Sequence, residues 1–310
     1  MITAPILTNK TWAMLILLAT IWGGSFLFGR IAVQEVPVFS LVFLRVGLAA
    51  IALWAFILIT KRKFQFTKWL IINCFIIGIL NNVIPFSFIL YGQKEIGAGL
   101  ASVVNAMTPI WTLLIANWFT QDEKINPIKL TGISLGFLGV AILMGTDIWL
   151  GLKASALAQF MVVLATISYG ASGVFGKRFK SVDPLLIAAC QLTTSTLILL
   201  PVMFIMEDPL QVPLPSAPAI FSILAIALLC TAYAYVLFFK ILNSAGAVNV
   251  SLVTLLVPIS AILLGMLFLD EALHWHQLGG LLIIMLGLII IDGRTIKRLR
   301  RKKIQEQQKP

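Results

Sequence analysis

The chain has 310 residues, 60% of them hydrophobic and 11% charged, with a mean hydropathy of +1.01. Soluble domains carry about 25% charged residues. These figures exclude an ordinary soluble enzyme, and they make the net charge of +11 a matter of membrane topology rather than of nucleic-acid binding. A helix needs about 20 apolar residues to cross a hydrocarbon core about 30 Å thick. In chain order, the spans are expected at 12–32, 38–60, 69–91, 98–119, 127–146, 156–176, 184–206, 217–240, 246–269 and 276–292. The linkers are too short for a soluble domain, and only the tail 293–310 stands outside the bundle.

The first span is apolar from Trp12 to Phe28, longer than a signal-peptide core of about 7–15 residues. It also has a counterpart in the second half. Leu18-Ala19-Thr20 matches Leu164-Ala165-Thr166, and Phe28-Gly29-Arg30 matches Phe175-Gly176-Lys177. We therefore expect it to be retained. Its Trp22 and Tyr169 of the sixth span stand near matching positions, where their rings either wall a solute path or pack as ordinary core.

The second span opens at Pro37, matched by Pro184, and carries Arg45, the formal charge most clearly inside a span. The neighbours on its own helix, Leu41, Val42, Leu48 and Ala49, offer it no partner. Side chains lean toward the helix N-terminus, so the sequence suggests snorkelling to the headgroups. A gating or substrate-carboxylate role is the alternative. The third span holds Asn81-Asn82 and Pro85, and its counterpart reads Cys230-Thr231 and Ala234, with Tyr233 and Tyr235 close by. Two adjacent amides in hydrocarbon are costly unless paired, so one is expected to face a cavity.

The fourth span shows a stripe of Ser102, Asn105, Pro109, Thr112 and Ala116, spaced three and four apart on one helical face, with Thr108 nearby. The ninth repeats it as Ser251, Thr254, Pro258, Ala261 and Gly265. Each proline frees the carbonyl four residues earlier, belonging to Asn105 or Thr254. That carbonyl is placed to accept a substrate ammonium, although Ser and Thr also serve simple close packing.

Around these stripes the halves agree at length. Gly97-Ala98 recurs as Gly246-Ala247, Asp122-Glu123 as Asp270-Glu271, and Gly132, Gly139 and Gly145 as Gly280, Gly287 and Gly293. Two copies of a unit with an odd number of spans must enter the membrane in opposite senses, which is the inverted repeat of many secondary transporters. The expected fold is thus an all-α integral membrane protein of ten transmembrane helices in two inverted five-helix repeats, 12–146 and 156–292.

Charge sets the expected orientation. With the N-terminus in the cytoplasm, nineteen of the 23 basic residues fall on the cytoplasmic side, and only Arg30, Lys94 and Lys153 on the other. Both termini are then cytoplasmic, and the tail segment 297–303 lies against anionic lipid. A homodimer is compatible with such a chain. No carboxylate stands mid-span, so coupling through a buried titrating acid is disfavoured; Glu95, Asp270 and Glu271 remain as gating candidates. The three cysteines and the two histidines lack metal-ligand or redox spacing. No P-loop, nucleophile elbow or HExxH is present. No cofactor, metal or nucleic acid is expected.

The Trp22-Gly23-Gly24-Ser25-Phe26 stretch, the Pro37 to Arg45 spacing, the paired Pro109 and Pro258, the acidic helix ends and the Gly-rich helices after them resemble the EamA family of the drug/metabolite transporter superfamily. That resemblance covers 12–292 in two copies. It implies a permease or exporter of small metabolites, often amino acids, in a bacterial inner membrane, with a central cavity lined mainly by helices 1, 3, 4, 6, 8 and 9. A neutral or zwitterionic, amino-acid-like solute moved by alternating access is the leading functional reading. The competing ones are a polytopic enzyme acting on lipid, which would need clustered His, Asp or Glu at one interface, and a sensory or scaffold protein, which would not need paired Pro-kinked polar helices.

Overall fold

In a computed structural model, the described residues are 9–62, 64–119, 125, 127–144, 154–179, 182–245, 253–272 and 274–292. They form ten helical spans. In chain order these are α1 (Asn9–Ala32), α2 (Val38–Ile59), α3 (68–96), α4 (98–119), α5 (Pro127–Met144), α6 (Ala154–Gly176), α7 (Pro184–Met206), α8 (217–245), α9 (Val253–Phe268) and α10 (Trp275–Asp292). Hydrocarbon offers no partner to a backbone N–H, so a helix that satisfies its own is the form such apolar stretches take. The stretches Asn9–Ala32, Val38–Ile59, Lys68–Asn105, Ala156–Phe179, Pro184–Met206 and Ala217–Phe238 are long and apolar enough to cross a membrane, and α9 and α10 hold shorter apolar segments.

Packing follows the duplication. α1 lies against α9 and α6 against α4, while α2 meets α7 and α5 meets α10. The first two contacts share one device. A Cβ on Gly23 of α1 would lie 2.8 Å from the Ala261 nitrogen of α9, and one on Gly170 of α6 would lie 2.8 Å from the Thr112 nitrogen of α4. Both pairs are related by the repeat, and in both a missing side chain lets two backbones touch.

Irregularities fall where the repeat places them. α3 passes through a π-turn at Ile79–Val83 and α8 through one at Ala225–Tyr233. π-turns concentrate at functional positions. Pro85, just after the first, has no N–H to close the ring onto the preceding turn. The Leu80 carbonyl there accepts instead from the Ser168 hydroxyl of α6 at 2.7 Å. α4 breaks at 106–107, just before Pro109, and resumes at Thr108. α3 runs into α4 with no loop, turning at Gly97 (φ 76°, ψ 177°). That φ favours glycine, and a Cβ there would stand 2.5 Å from a Glu271 oxygen.

Candidate functional site

One group of buried polar residues collects around the two π-turns. On α3, Asn82 is fully buried and its amide donates to Ser195 Oγ of α7 at 3.0 Å. Asn81 donates to the Tyr235 hydroxyl of α8 at 3.3 Å and to Gln191 Oε1 of α7 at 3.5 Å, while its own oxygen accepts from Ser172 Oγ of α6 at 3.1 Å. The Tyr235 hydroxyl in turn donates to Asn82 Oδ1 at 3.4 Å. Both asparagines are therefore paired, as burial of an amide in hydrocarbon requires. Helices from both repeats meet in this one network.

Arg45 stands beside it on α2, within electrostatic range of Tyr235. Snorkelling is not what the structure places here. The residue is 9% exposed, its Nε donates to Thr231 Oγ1 of α8 at 3.1 Å, and its guanidinium carbon lies 3.6 Å from the centre of the Phe86 ring of α3. Tyr169, Cys230 and Tyr235 are within electrostatic range of the charge. Neither Arg45's own helix nor the lipid supplies these contacts. The partners come from α3 and from a helix 186 residues away. Thr231 can take this role because its own hydroxyl donates to the Ile226 carbonyl at 2.8 Å, a bond the π-turn makes reachable.

The α4 stripe is placed differently. Ser102 is fully buried and donates to the Gly99 carbonyl of its own helix at 2.6 Å. The Asn105 carbonyl freed by Pro109 is not left open, because the Thr108 hydroxyl donates to it at 2.8 Å. What remains unpartnered there is Asn105 Oδ1, together with Trp111 Nε1 six residues on, both buried. The Trp22 ring lies 5.8 Å from that of Phe238 of α8, tilted by 35°, in an apolar cluster that Tyr169 also borders. Tyr169 borders a second cluster as well, the one that takes in Tyr235 and Phe86, and so stands between the two groups. Pro258 is buried within α9. Ser251 and the Thr254 side chain lie outside the described residues.

Sequence reasoning missed Ser168, Ser172, Gln191 and Ser195, and named Thr231 only as the repeat counterpart of Asn82. Ser168 with Ser172, and Gln191 with Ser195, are spaced four apart within apolar spans. That spacing puts each pair on one helical face, a signal that was available. The network also draws on α7, and Arg45 beside it comes from α2, both beyond the helices the family resemblance implied.

One end of the bundle has its own arrangement. Three carboxylates there each cross between the repeats to a helix start. Glu35 accepts from the Ser216 N–H and hydroxyl, both at 2.6 Å, where α8 begins. Glu207 accepts from the Phe39 and Ser40 N–H groups and the Ser40 hydroxyl, all at 2.8 Å, where α2 begins. Glu271 accepts from the Ala98 and Gly99 N–H groups at 2.6 and 2.8 Å, where α4 begins. Unsatisfied N–H groups and the positive dipole end make a helix start a favourable place for an anion. The Ser216 bonds hold the exposed Glu35 carboxyl below its ordinary pKa. A groove of about 420 Å³ lined by Arg30, Ile31, Gln34, Glu35, Leu269 and Glu271 opens at this end. At the other end the repeats share an exposed ion pair, Arg62 to Asp183 at 3.4 Å.

Comparison with known proteins gives this architecture its family. The model of the EamA-like transporter family matches residues 10–145 and, separately, 156–292. The chain belongs to the EamA-like transporter family. It is 28% identical over 287 residues to the uncharacterized transporter YoaV of Bacillus subtilis, covering 91% of this chain and 96% of that one. It is 27% identical to the protein PecM of Dickeya dadantii, over 80% of this chain and 82% of that one. It is 23% identical to the uncharacterized inner membrane transporter YedA of Escherichia coli K12, over 89% and 90%. One solved crystal structure superposes with a TM-score of 0.65 at 17% identity, covering 90% of this chain and 97% of that one, which speaks to fold alone. As an EamA-like protein, the chain is a multi-pass membrane protein of a transporter family.

Proposed function

We propose that the protein is a secondary transporter that moves a small, amino-acid-like metabolite through the centre of the bundle by alternating access, and that it sits in the inner membrane with both termini cytoplasmic. The observation that carries this reading is the polar network of Asn81, Asn82, Gln191 and Tyr235, with the Arg45–Thr231 pair beside it, built at the π-turns from helices of both repeats. Polar groups at membrane depth are costly and mark solute pathways. Placing them between two inverted units puts them where a rocking motion exposes them to either side in turn. Asn105 Oδ1, buried and unpartnered, is the acceptor we assign to a substrate ammonium. Trp22, Tyr169, Ser102, Thr108, Pro109 and Pro258, with Ser251 and Thr254 by sequence repeat, complete the proposed path. The three carboxylate caps are the contacts that hold one end shut, and the basic census makes that end the outer one. The residues bind and gate, and no covalent step is assigned to them.

Purified protein in proteoliposomes, tested by counterflow of labelled amino acids without an imposed ion gradient, checks the reading. Saturable exchange of at least one solute, changing little between about pH 6 and 8, is the expected result. No exchange across the panel removes the reading. A strict requirement for a proton gradient that Glu271→Gln abolishes moves the coupling site to the capped end.

A further inference from the structure

Arg45 is more than nine-tenths buried and always charged. Its Nε is satisfied by Thr231, but its two terminal nitrogens make no hydrogen bond to a described residue. The ion pair found among the described residues, Arg62 with Asp183, involves neither it nor its neighbours. Phe86 covers one face of the guanidinium without neutralising it. An unpaired buried cation is costly, and proteins normally pair it or hydrogen-bond it fully. Here the charge is anchored at one edge by Nε and left open at the other. The open edge is the one that grips a planar carboxylate with two parallel bonds. The groups around it, Tyr169, Tyr235 and the Asn81 amide bonded to Tyr235, are neutral hydrogen-bonding or aromatic groups that do not compete for that charge.

We propose that Arg45 is the substrate-binding residue that receives the carboxylate of the transported solute. This rests on the transport reading above and narrows its cargo to solutes carrying a free carboxylate. A phosphate dianion fits the site less well, because a single guanidinium leaves one of its two charges uncompensated at membrane depth. A carboxylate is matched charge for charge. The carboxylate arrives as the counter-ion of Arg45, so the loaded site no longer holds an unpaired guanidinium, and a zwitterion's ammonium is left to a neutral acceptor such as Asn105 Oδ1.

Thermal unfolding of the full-length protein in detergent tests this with matched pairs: leucine and leucinamide, phenylalanine and phenylalaninamide, threonine and threoninamide, with inorganic phosphate as a separate arm. At least one acid is expected to raise the melting temperature, and its amide is not. Arg45→Gln should abolish the shift, and Arg45→Lys, which keeps the charge but not the fork, should require about tenfold more ligand. Equal shifts from acid and amide, a shift surviving in Arg45→Gln, or no shift from any acid overturns the proposal. Stabilisation by phosphate that depends on Arg45 reassigns the site to tetrahedral oxyanions and overturns it as stated. The acid–amide comparison needs only the native protein, so a variant that fails to fold leaves the test intact. Counterflow with the same acids separates the two readings. An acid that binds through Arg45 but is not exchanged removes transport and leaves the binding site. Exchange of acid and amide alike leaves transport and removes the binding site.

Discussion

Asn82 on α3 and Thr231 on α8 occupy matching positions of the two repeats, each in a π-turn, each facing the second helix of the other repeat. Yet the pairs they make differ in kind. Asn82 meets Ser195 of α7, a neutral amide on a neutral hydroxyl. Thr231 meets Arg45 of α2, a neutral hydroxyl on a charge. Ser195 also donates to the Gly78 and Gln191 carbonyls at 3.2 and 2.6 Å, so that side of the centre is closed upon itself. The Arg45 side is not. Duplication supplied one backbone device twice, and the side chains turned one copy into a fastening and the other into a site with unused donors.

The sharpest way to break that contrast is Thr231→Val. It removes the acceptor of the Arg45 Nε and leaves a buried charge with one fewer partner. Hydrogen bonds to charged groups contribute about 1.5–3 kcal/mol. We expect a loss of about 2 kcal/mol in unfolding free energy and counterflow slower by about tenfold as the fork loses its aim. Unaltered exchange with unaltered melting would show that Thr231 does not position Arg45.

Glu271→Gln probes the caps that lie away from the centre. The carboxylate sits among Gly97, Gly99 and Gly265, where added Cβ atoms would lie 2.5, 3.2 and 2.7 Å from its oxygens. A glutamine keeps the shape but turns an NH₂ toward a backbone donor. We expect about 1–2 kcal/mol of destabilisation and faster hydrogen exchange in the peptide spanning 97–102. Unchanged exchange there would mean that the carboxylate does not hold the start of α4.

Asn82→Ala should cost less than its full burial suggests. Ser195 keeps its two carbonyl partners, and the amide's loss costs the Tyr235 hydroxyl only a long 3.4 Å bond. About 1 kcal/mol is expected, read as a lower unfolding midpoint, with substrate affinity reduced far less than by Arg45→Gln. A loss of affinity as large as that of Arg45→Gln would undo the contrast between the two halves.

Most of the fold was legible because hydrophobic length and an internal repeat are properties of the chain itself. Each expected span is found as a helix. The centre was legible in part. Asn81-Asn82, Tyr235 and Arg45 stood out as polar residues in apolar runs, and the structure joins the first three in one network with Arg45 beside it. What the sequence could not give was pairing across space. Nothing local links Arg45 to Thr231 or Asn82 to Ser195. Nor does a proline announce that a neighbouring hydroxyl will recapture the carbonyl it frees, as Thr108 does at Asn105. The π-turns were equally hidden. Their trace in the sequence is Pro85 in one copy and no proline in the other.

The smallest expected effect is at Glu35, and it tests whether a cap in solvent behaves like the half-buried one at Glu271. Hydrogen bonds from the Ser216 hydroxyl and N–H lower its pKa in the folded protein. A carboxyl whose folded pKa is depressed contributes stability above its unfolded value and loses it as pH falls through the folded one. The linkage between the α1–α2 turn and the start of α8 should therefore weaken on acidification and not on raising the pH above neutrality. The site is open to water, so screening keeps the contribution small. Melting temperatures of the native protein and of Glu35→Gln should differ slightly at neutral pH and converge as the carboxyl protonates. A difference that persists unchanged in acid would mean that the glutamate acts through shape rather than charge. The two exposed oxygens would then be ordinary acceptors for the Ser216 cap, unlike the carboxylate that sits among glycines beneath α4.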